Sequence, residues 1–377
     1  MAGRGSTSPL ALALQDDLSR DVYGLFGIPI DAEDRVSVLR KIAIAADAET
    51  RFLISTPNVN FLVQSQRDAA FRESLLQSDH CCADGMPIVW ISRLLGLPIT
   101  ERVSGSDLFE TLRSEESSSR PLKVFLFGGG EGVAETVCGL LNARPSGICC
   151  VGALNPGFGT VEEMSERAMI ERINRSGADL LAVFLSAQKA QFWLHHNQDR
   201  LSIPVRGQFG ATINYQAGTV RRAPLMFQRL GLEWLWRIKE EPYLWRRYWT
   251  DGLALIRLVV TRALPIAIDL AWQRRLDKDL TLTKRKETDL AIVGLVGFAT
   301  KKHVTKCIAF FRSILIERCD IVIDLSQTRA IDPRFFGLLL MLRKELKKGG
   351  NNLTFTDVSA SARRNFRLNG FEFLLHS

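Results

Sequence analysis

Val124-Phe125-Leu126-Phe127-Gly128-Gly129-Gly130-Glu131-Gly132 runs from an apolar strand into a glycine turn. From Val133 to Leu141 the apolar residues then recur at helical spacing. A strand that turns through glycine into a helix is the repeating unit of a parallel sheet. The same alternation extends both ways. Upstream, Phe52–Thr56 precedes a helix through Phe71 and Leu75; downstream come Cys149–Val151, a helix around Met164–Ile173 and a strand at Leu180–Leu185. This order predicts an α/β fold with a largely parallel sheet and helices on both faces. Ligands in such folds sit beyond the carboxyl ends of the strands. Those ends read Thr56-Pro57-Asn58, Gly128-Gly129-Gly130 and Asn155-Pro156-Gly157. Backbone amides at Gly128–Gly130 suit a diphosphate beside a helix N-terminus, although a plain tight turn accounts for the glycines equally well. The loop fails the GxGxxG spacing, and no acidic residue ends the Cys149–Val151 strand to hold a ribose. A dinucleotide dehydrogenase is therefore disfavoured.

With 377 residues the chain has room for two domains. Its net charge is +8, and between Arg221 and Lys286 there are 15 Lys/Arg against 7 Asp/Glu, a surplus of 8 that equals the whole excess. Trp234, Trp236, Trp245, Trp249 and Trp272 lie among these charges, a mixture suited to an anionic membrane interface. A solvated basic helix face is the plainer reading of the same residues. Leu253–Trp272 has the length of a membrane span, but Arg257, Arg262 and Asp269 make crossing expensive and Pro265 interrupts it. An amphipathic segment lying on lipid, or packed on protein or a neighbouring subunit, is expected instead. Seven cysteines without CxxC spacing point to buried thiols in a reducing compartment. The N-terminus lacks a signal-peptide core, so a cytoplasmic location is expected.

The last ninety residues restart an α/β pattern: strands at Leu290–Val296, Ile321–Leu325 and Leu353–Phe355, helices at Phe335–Lys348 and Ser361–Asn369. The expected layout is a loose arm over 1–19 and a catalytic domain over 20–225. A helical appendage over 226–275, a charged linker over 276–287 and a small second domain over 288–377 follow.

Asp84, in Ala83-Asp84-Gly85-Met86, is on its own more simply a turn residue than a catalytic base. Its neighbours change that reading. Ser55-Thr56-Pro57-Asn58-Val59-Asn60, Ala83–Met86, Glu101-Arg102-Val103-Ser104-Gly105-Ser106-Asp107 and Phe127-Gly128-Gly129 occur in one order. Arg221-Arg222-Ala223-Pro224, Gly231-Leu232-Glu233-Trp234-Leu235-Trp236-Arg237, Glu240-Glu241-Pro242 and Arg246-Arg247-Tyr248 follow them. Over about 230 residues this resembles the WecG/TagA/CpsF glycosyltransferases, with a Rossmann-like domain.

The resemblance implies inverting transfer from a UDP-sugar to a polyprenyl-diphosphate-linked acceptor, with no cofactor and no metal. Asp84 matches the proposed base, and Arg102 an arginine suited to the leaving diphosphate. Thr56, Asn58 and Asn60 match the polar loop of the pocket. Gly128, Gly129, Gly130, Asn155, Gly157 and Gln191 are the remaining expected substrate contacts. Arg221, Arg237 and Arg247 are candidates for membrane or diphosphate contact, in an appendage that brings the enzyme to the inner membrane face. Two departures leave the sugar open: Ser186-Ala187-Gln188-Lys189-Ala190-Gln191 replaces Gly-x-Pro-Lys-Gln-Glu, and Ile213-Asn214 replaces Phe-Asp.

The C-terminal part resembles a STAS domain through Ile323-Asp324-Leu325-Ser326, Ala330-Ile331-Asp332 and Gly337. Pro333-Arg334-Phe335 stands where the phosphorylatable serine of that family falls, so binding a protein partner or packing on the transferase half is expected, without the switch. The rival reading is a non-catalytic nucleotide-sugar or lipid scaffold. A homo-oligomer is compatible with the sequence, and no nucleic-acid partner is expected.

Overall fold

The computed structural model describes residues 9–114, 120–144, 146–273, 279–287 and 290–376. Strands β1 (Val22–Leu25) and β2 (Ile28–Asp31) form a hairpin. Phe26 and Gly27 both take positive φ at its tip, as a two-residue hairpin turn requires. Next come β3 (Phe52–Ser55), β4 (His80–Cys81), β5 (Leu122–Gly128), β6 (Ile148–Leu154), β7 (Leu180–Phe184) and β8 (Val205–Gln208). They form one six-stranded sheet in the order β4-β3-β8-β7-β5-β6, parallel throughout.

Alternate strand residues feed two separate cores, because successive side chains face opposite sides. Ile54, Val124, Leu126 and Ala182 pack under the helices Arg35–Asp47, Gly105–Ser114 and Val133–Ala143. Leu53, Phe125, Phe127 and Val183 pack under Arg167–Arg175 and Ala187–His196. On that second face Trp193 stacks on Phe127 at 4.2 Å and donates its indole N–H to the Met164 carbonyl at 2.8 Å. The expected α/β class with helices on both faces is the observed one.

Three expectations need correction. Cys138 and Cys150 are joined as a disulfide rather than held as thiols, because the helix Val133–Ala143 folds straight back along β6. The stretch described within 1–19 is not loose: Pro9–Gln15 and Asp17–Ser19 are helical, and Asp17 and Leu18 are buried. The charged linker is in large part a strand, β9 (Leu280–Lys286). It pairs antiparallel with β10 (Leu290–Ala299), because Leu280 and Leu282 turn toward a further core, that of the C-terminal part, while the basic residues face out. Residues 274–278, the end of the expected appendage and the start of the expected linker, lie outside the described residues.

The appendage consists of helices Glu233–Glu240, Trp245–Leu258 and Leu264–Gln273, the last two joined by a π turn at Val259–Ala263. Pro265 explains that turn: it lacks an N–H, and its ring would collide with the carbonyl one turn back. Among the described residues no helix is long and apolar enough to cross a membrane.

β9, β10, β11 (Asp320–Asp324), β12 (Thr328–Ile331) and β13 (Leu353–Thr356) form a second sheet. The helix Pro333–Lys348 buries 12 of its 16 residues, because it is sandwiched between this sheet and the β1–β2 hairpin. A buried ion network fastens the joint. Arg20 grips Asp31 through two bonds of 3.1 and 2.8 Å and Asp17 at 2.8 Å, while Lys344 reaches Asp17 at 3.1 Å and Asp79 at 2.8 Å. Arg343 pairs with Glu73 at 2.9 Å, and Arg334 with Asp21 at 2.7 Å.

Burial works against ionisation of Asp17, but Lys344, Arg20 and Lys348 outweigh it and hold the carboxyl down at about 2. A carboxylate whose pKa falls on folding stabilises the fold fully above its unfolded pKa of about 4 and loses that contribution as pH drops toward 2. The melting temperatures of wild type and Asp17→Asn should therefore differ most above pH 4 and converge toward pH 2. A gap independent of pH over that window would remove the ionic role.

Candidate active site

The cavity opens at the carboxyl ends of β3, β4 and β8 and holds ≈ 490 Å³, a size that suits a small-molecule substrate. Asp84 is fixed there by backbone bonds from neighbouring segments. Its own N–H donates to the Pro57 carbonyl at 2.9 Å, and the Val103 N–H reaches the Ala83 carbonyl at 2.9 Å. Gly85 follows at φ +113°, a value only glycine takes readily, and starts the helix Met86–Leu94. The Asp84 side chain lines the cavity and accepts no side-chain hydrogen bond among the described residues. Burial pushes its carboxyl up to about 7. Arg102 opposes the rise, and the Asp107 and Glu233 carboxylates reinforce it. A carboxylate of that pKa, with free lone pairs facing a cavity, can accept a proton at neutral pH.

Arg102 lies at the centre of a charged web. It bonds Asp107 at 2.8 Å and pairs with Glu233 of the appendage, while Arg222 pairs with the other oxygen of Asp107. The Ser104 hydroxyl also donates to Asp107 at 2.7 Å. The Arg102 fork is thus already matched to two carboxylates, so the less committed positive charge falls to the appendage. Arg237 bonds Glu241 at 2.8 Å but keeps a buried Nε without a partner, and Arg247 stands in the lining beside Tyr248 and Asp251. The Asn60 amide donates to Asp251 at 3.0 Å, which ties the helix Trp245–Leu258 down over the cavity. Among the described residues no three His, Cys, Asp or Glu side chains gather to hold a metal ion.

The WecG/TagA/CpsF glycosyltransferase family profile matches residues 23–267. The chain belongs to this family. Among its relatives is an N-acetylglucosaminyldiphosphoundecaprenol N-acetyl-β-D-mannosaminyltransferase of Bacillus spizizenii, 27% identical over 195 residues that cover 52% of this chain and 73% of the relative. A transferase of the same name from Bacillus subtilis is 25% identical over 202 residues, covering 53% of this chain and 76% of the relative. The chain is accordingly a hexosyltransferase.

In this glycosyltransferase the structure gathers Thr56, Asn58, Asn60, Asp84, Arg102, Arg237 and Arg247 around one cavity. Asn58 also caps the helix Val59–Arg67, accepting from the Asn60 and Phe61 amides at 3.0 and 3.3 Å. Other expected contacts lie elsewhere. Arg221 is exposed outside the lining, its carbonyl accepting from the Trp236 indole at 3.0 Å, and Arg222 takes the inward place. Gly128, Gly129 and Gly130 are outside the lining too. Gly128 and Gly129 turn the chain at positive φ, and a Cβ on Gly128 would lie 2.9 Å from the Phe184 carbonyl oxygen. Asn155 accepts from the Gly157 amide at 2.8 Å in a local turn away from the cavity.

Gln191 needs the plainest correction. It is fully buried, accepts from the Ser55 hydroxyl at 2.9 Å and donates to the Ser74 carbonyl at 3.0 Å, so it is a core amide with no reach into the cavity. Its spacing on Ala187–His196 turns it toward the sheet. Residues that sequence reasoning passed over are Trp90, Gln208, Tyr215, Arg222, Tyr248 and Asp251. Only Arg222 and Tyr248 stood inside quoted motifs.

Proposed function

We propose that this transferase moves a hexosyl group from a UDP-sugar to a polyprenyl-diphosphate-linked acceptor, with inversion, in exopolysaccharide or other cell-surface glycan assembly. The observation that carries the reading is the Asp84 carboxylate, raised to about 7 and unpaired by any side chain among the described residues. Asp84 removes the proton from an acceptor hydroxyl, whose oxygen attacks the anomeric carbon from the face opposite the leaving group. The bond from that carbon to the diphosphate oxygen breaks, and UDP departs with the electron pair. Arg237 and Arg247 supply positive charge as that diphosphate develops its own.

The printed names of the Bacillus relatives describe transfer to an undecaprenyl-diphosphate-linked sugar, which supports the acceptor class. The surface beside the cavity supports a lipid contact at the inner membrane face. Trp245, Trp249, Leu253, Ile256, Val260, Ile268 and Trp272 are exposed along the appendage helices, an apolar band expected to sit in a bilayer interface. The C-terminal sheet is read as a STAS-like domain whose partner is its own transferase half, through the buried helix Pro333–Lys348.

The test is UDP release from a panel of UDP-sugars, with and without an undecaprenyl-diphosphate-linked acceptor sugar in detergent. Acceptor-dependent release from at least one donor is expected. Absence of release from every donor would overturn the catalytic reading.

A further inference from the structure

The helix Trp245–Leu258 covers the cavity with little hold of its own. Of its 14 residues Asp251 and Leu258 are the buried ones, while Trp249, Leu253 and Ile256 are exposed. A cover that buries so little apolar surface opens readily unless something else keeps it down. The π turn Val259–Ala263 and the helix Leu264–Gln273 that follow it show what does.

Leu258, Ala263 and Ile266 are buried in a core shared with Phe26, Phe61 and Ile88 of the catalytic half, and Leu368 of the C-terminal part packs against the same cluster. Leu368 sits on the helix Ala360–Asn369, whose Arg364 pairs with Asp269 of the appendage. Beside them the three parts of the chain converge. Arg262, in the π turn, donates to Gln66 at 2.7 Å, and Gln66 donates to the Phe26 carbonyl at 2.5 Å. Gly370 ends the helix Ala360–Asn369 at φ +78°. A Cβ there would lie 2.7 Å from the Phe26 carbonyl carbon and 2.9 Å from an Arg262 nitrogen, so the contact has room for glycine alone. The family profile ends at residue 267, ahead of Asp269 and of the whole C-terminal part.

Resting on the transferase reading, we propose that the C-terminal part is a brace whose helix Ala360–Asn369 keeps the helix Trp245–Leu258 seated over the cavity. Leu368 and Arg364 are its positioning residues, and neither lines the cavity. Arg247, Tyr248 and Asp251 do line it, from the seated helix. The brace therefore sets how much of the time the positive charge of Arg247 stands where a diphosphate would leave.

Hydrogen exchange on the full chain, without ligand or lipid, reads the seating directly, because amides of Trp245–Leu258 exchange through its opening. Arg364→Asp and Asp269→Arg should each speed exchange over Trp245–Leu258 by about threefold to fivefold, the range for a part-exposed ion pair turned repulsive. Both substitutions together restore an opposite-charge pair and should return the rate to within about twofold of wild type. Leu368→Asp should speed it at least about tenfold. The helix Val133–Ala143, which lies away from the brace, should keep its wild-type rate throughout. Unchanged exchange over Trp245–Leu258 in the single variants, or a gain that the paired swap fails to reverse, overturns the proposal. Equal acceleration over Val133–Ala143 overturns it too, since general destabilisation then accounts for the change. Should Leu368→Asp fail to fold, the ion-pair variants decide alone. UDP release is scored separately. Local deprotection with no release from any donor sinks the transferase reading and keeps the brace, whereas acceptor-dependent release with wild-type exchange in every variant sinks the brace alone.

Discussion

Asp84→Asn should lower turnover by about 10²- to 10⁴-fold, the range for loss of a general base, while its melting temperature at pH 8 equals or exceeds that of wild type. The two outcomes have one cause. Asp84 is held in an environment that resists its charge, chiefly through burial and then through the Asp107 and Glu233 carboxylates. A carboxyl whose pKa is raised on folding favours the fold while protonated, and that contribution is lost as pH rises through about 7. The amide removes the charge and the penalty with it. Catalysis has the opposite requirement, because only the ionised form accepts a proton. For wild type, kcat/KM should therefore climb between pH 6 and 8 with a midpoint near 7, and the residual rate of Asp84→Asn should lack that limb. An Asn variant that keeps full turnover, or that shows the same acid limb, would assign the proton transfer to another group.

Gly337→Ala should destabilise the protein by about 1–3 kcal/mol or more, although alanine in an exposed helix interior normally gains up to about 1 kcal/mol over glycine. The contact reverses the sign. A Cβ at Gly337 would lie 1.9 Å from the Val22 carbonyl oxygen and 2.5 Å from its carbon, both backbone atoms that no rotamer change can move aside. Gly139→Ala is the control, since a Cβ there meets nothing within 4 Å and the residue sits in the helix Val133–Ala143. Thermal unfolding should show a lower midpoint for Gly337→Ala and an equal or higher one for Gly139→Ala. Equal midpoints for both variants would mean that the helix Pro333–Lys348 is not pressed against the hairpin in solution.

The same joint reaches toward the loop that carries Asp84. Asp31, at the end of that hairpin, accepts from the Cys81 amide at 2.7 Å, and Cys81 stands three residues before Asp84. Wedging the joint open should therefore cost turnover as well as stability.

Much of the catalytic half is legible in the sequence because its signals are local. The run Val124–Phe127 into Gly128 and Gly129 states a strand, a positive-φ turn and a helix within a dozen residues, and periodicity of this kind survives whatever packs on it. Asp84 was legible as a candidate only through its companion motifs, since an Asp before Gly fits an ordinary turn. The burial that raises its pKa is absent from any local pattern.

What only the tertiary structure decided are the partners. Arg102 meets Glu233 across 131 residues, and Asn60 meets Asp251 across 191. Cys138 joins Cys150, and Lys344 reaches back to Asp17. Two glutamines show the limit most clearly. Gln191, marked by its motif position, is spent inside the core, while Gln208, marked by nothing, stands in the cavity wall. Residue type and spacing determine which face of an element a side chain takes. Whether that face meets a neighbouring strand, another domain or a ligand is set by contacts between distant segments, whose geometry exists only once the chain has folded.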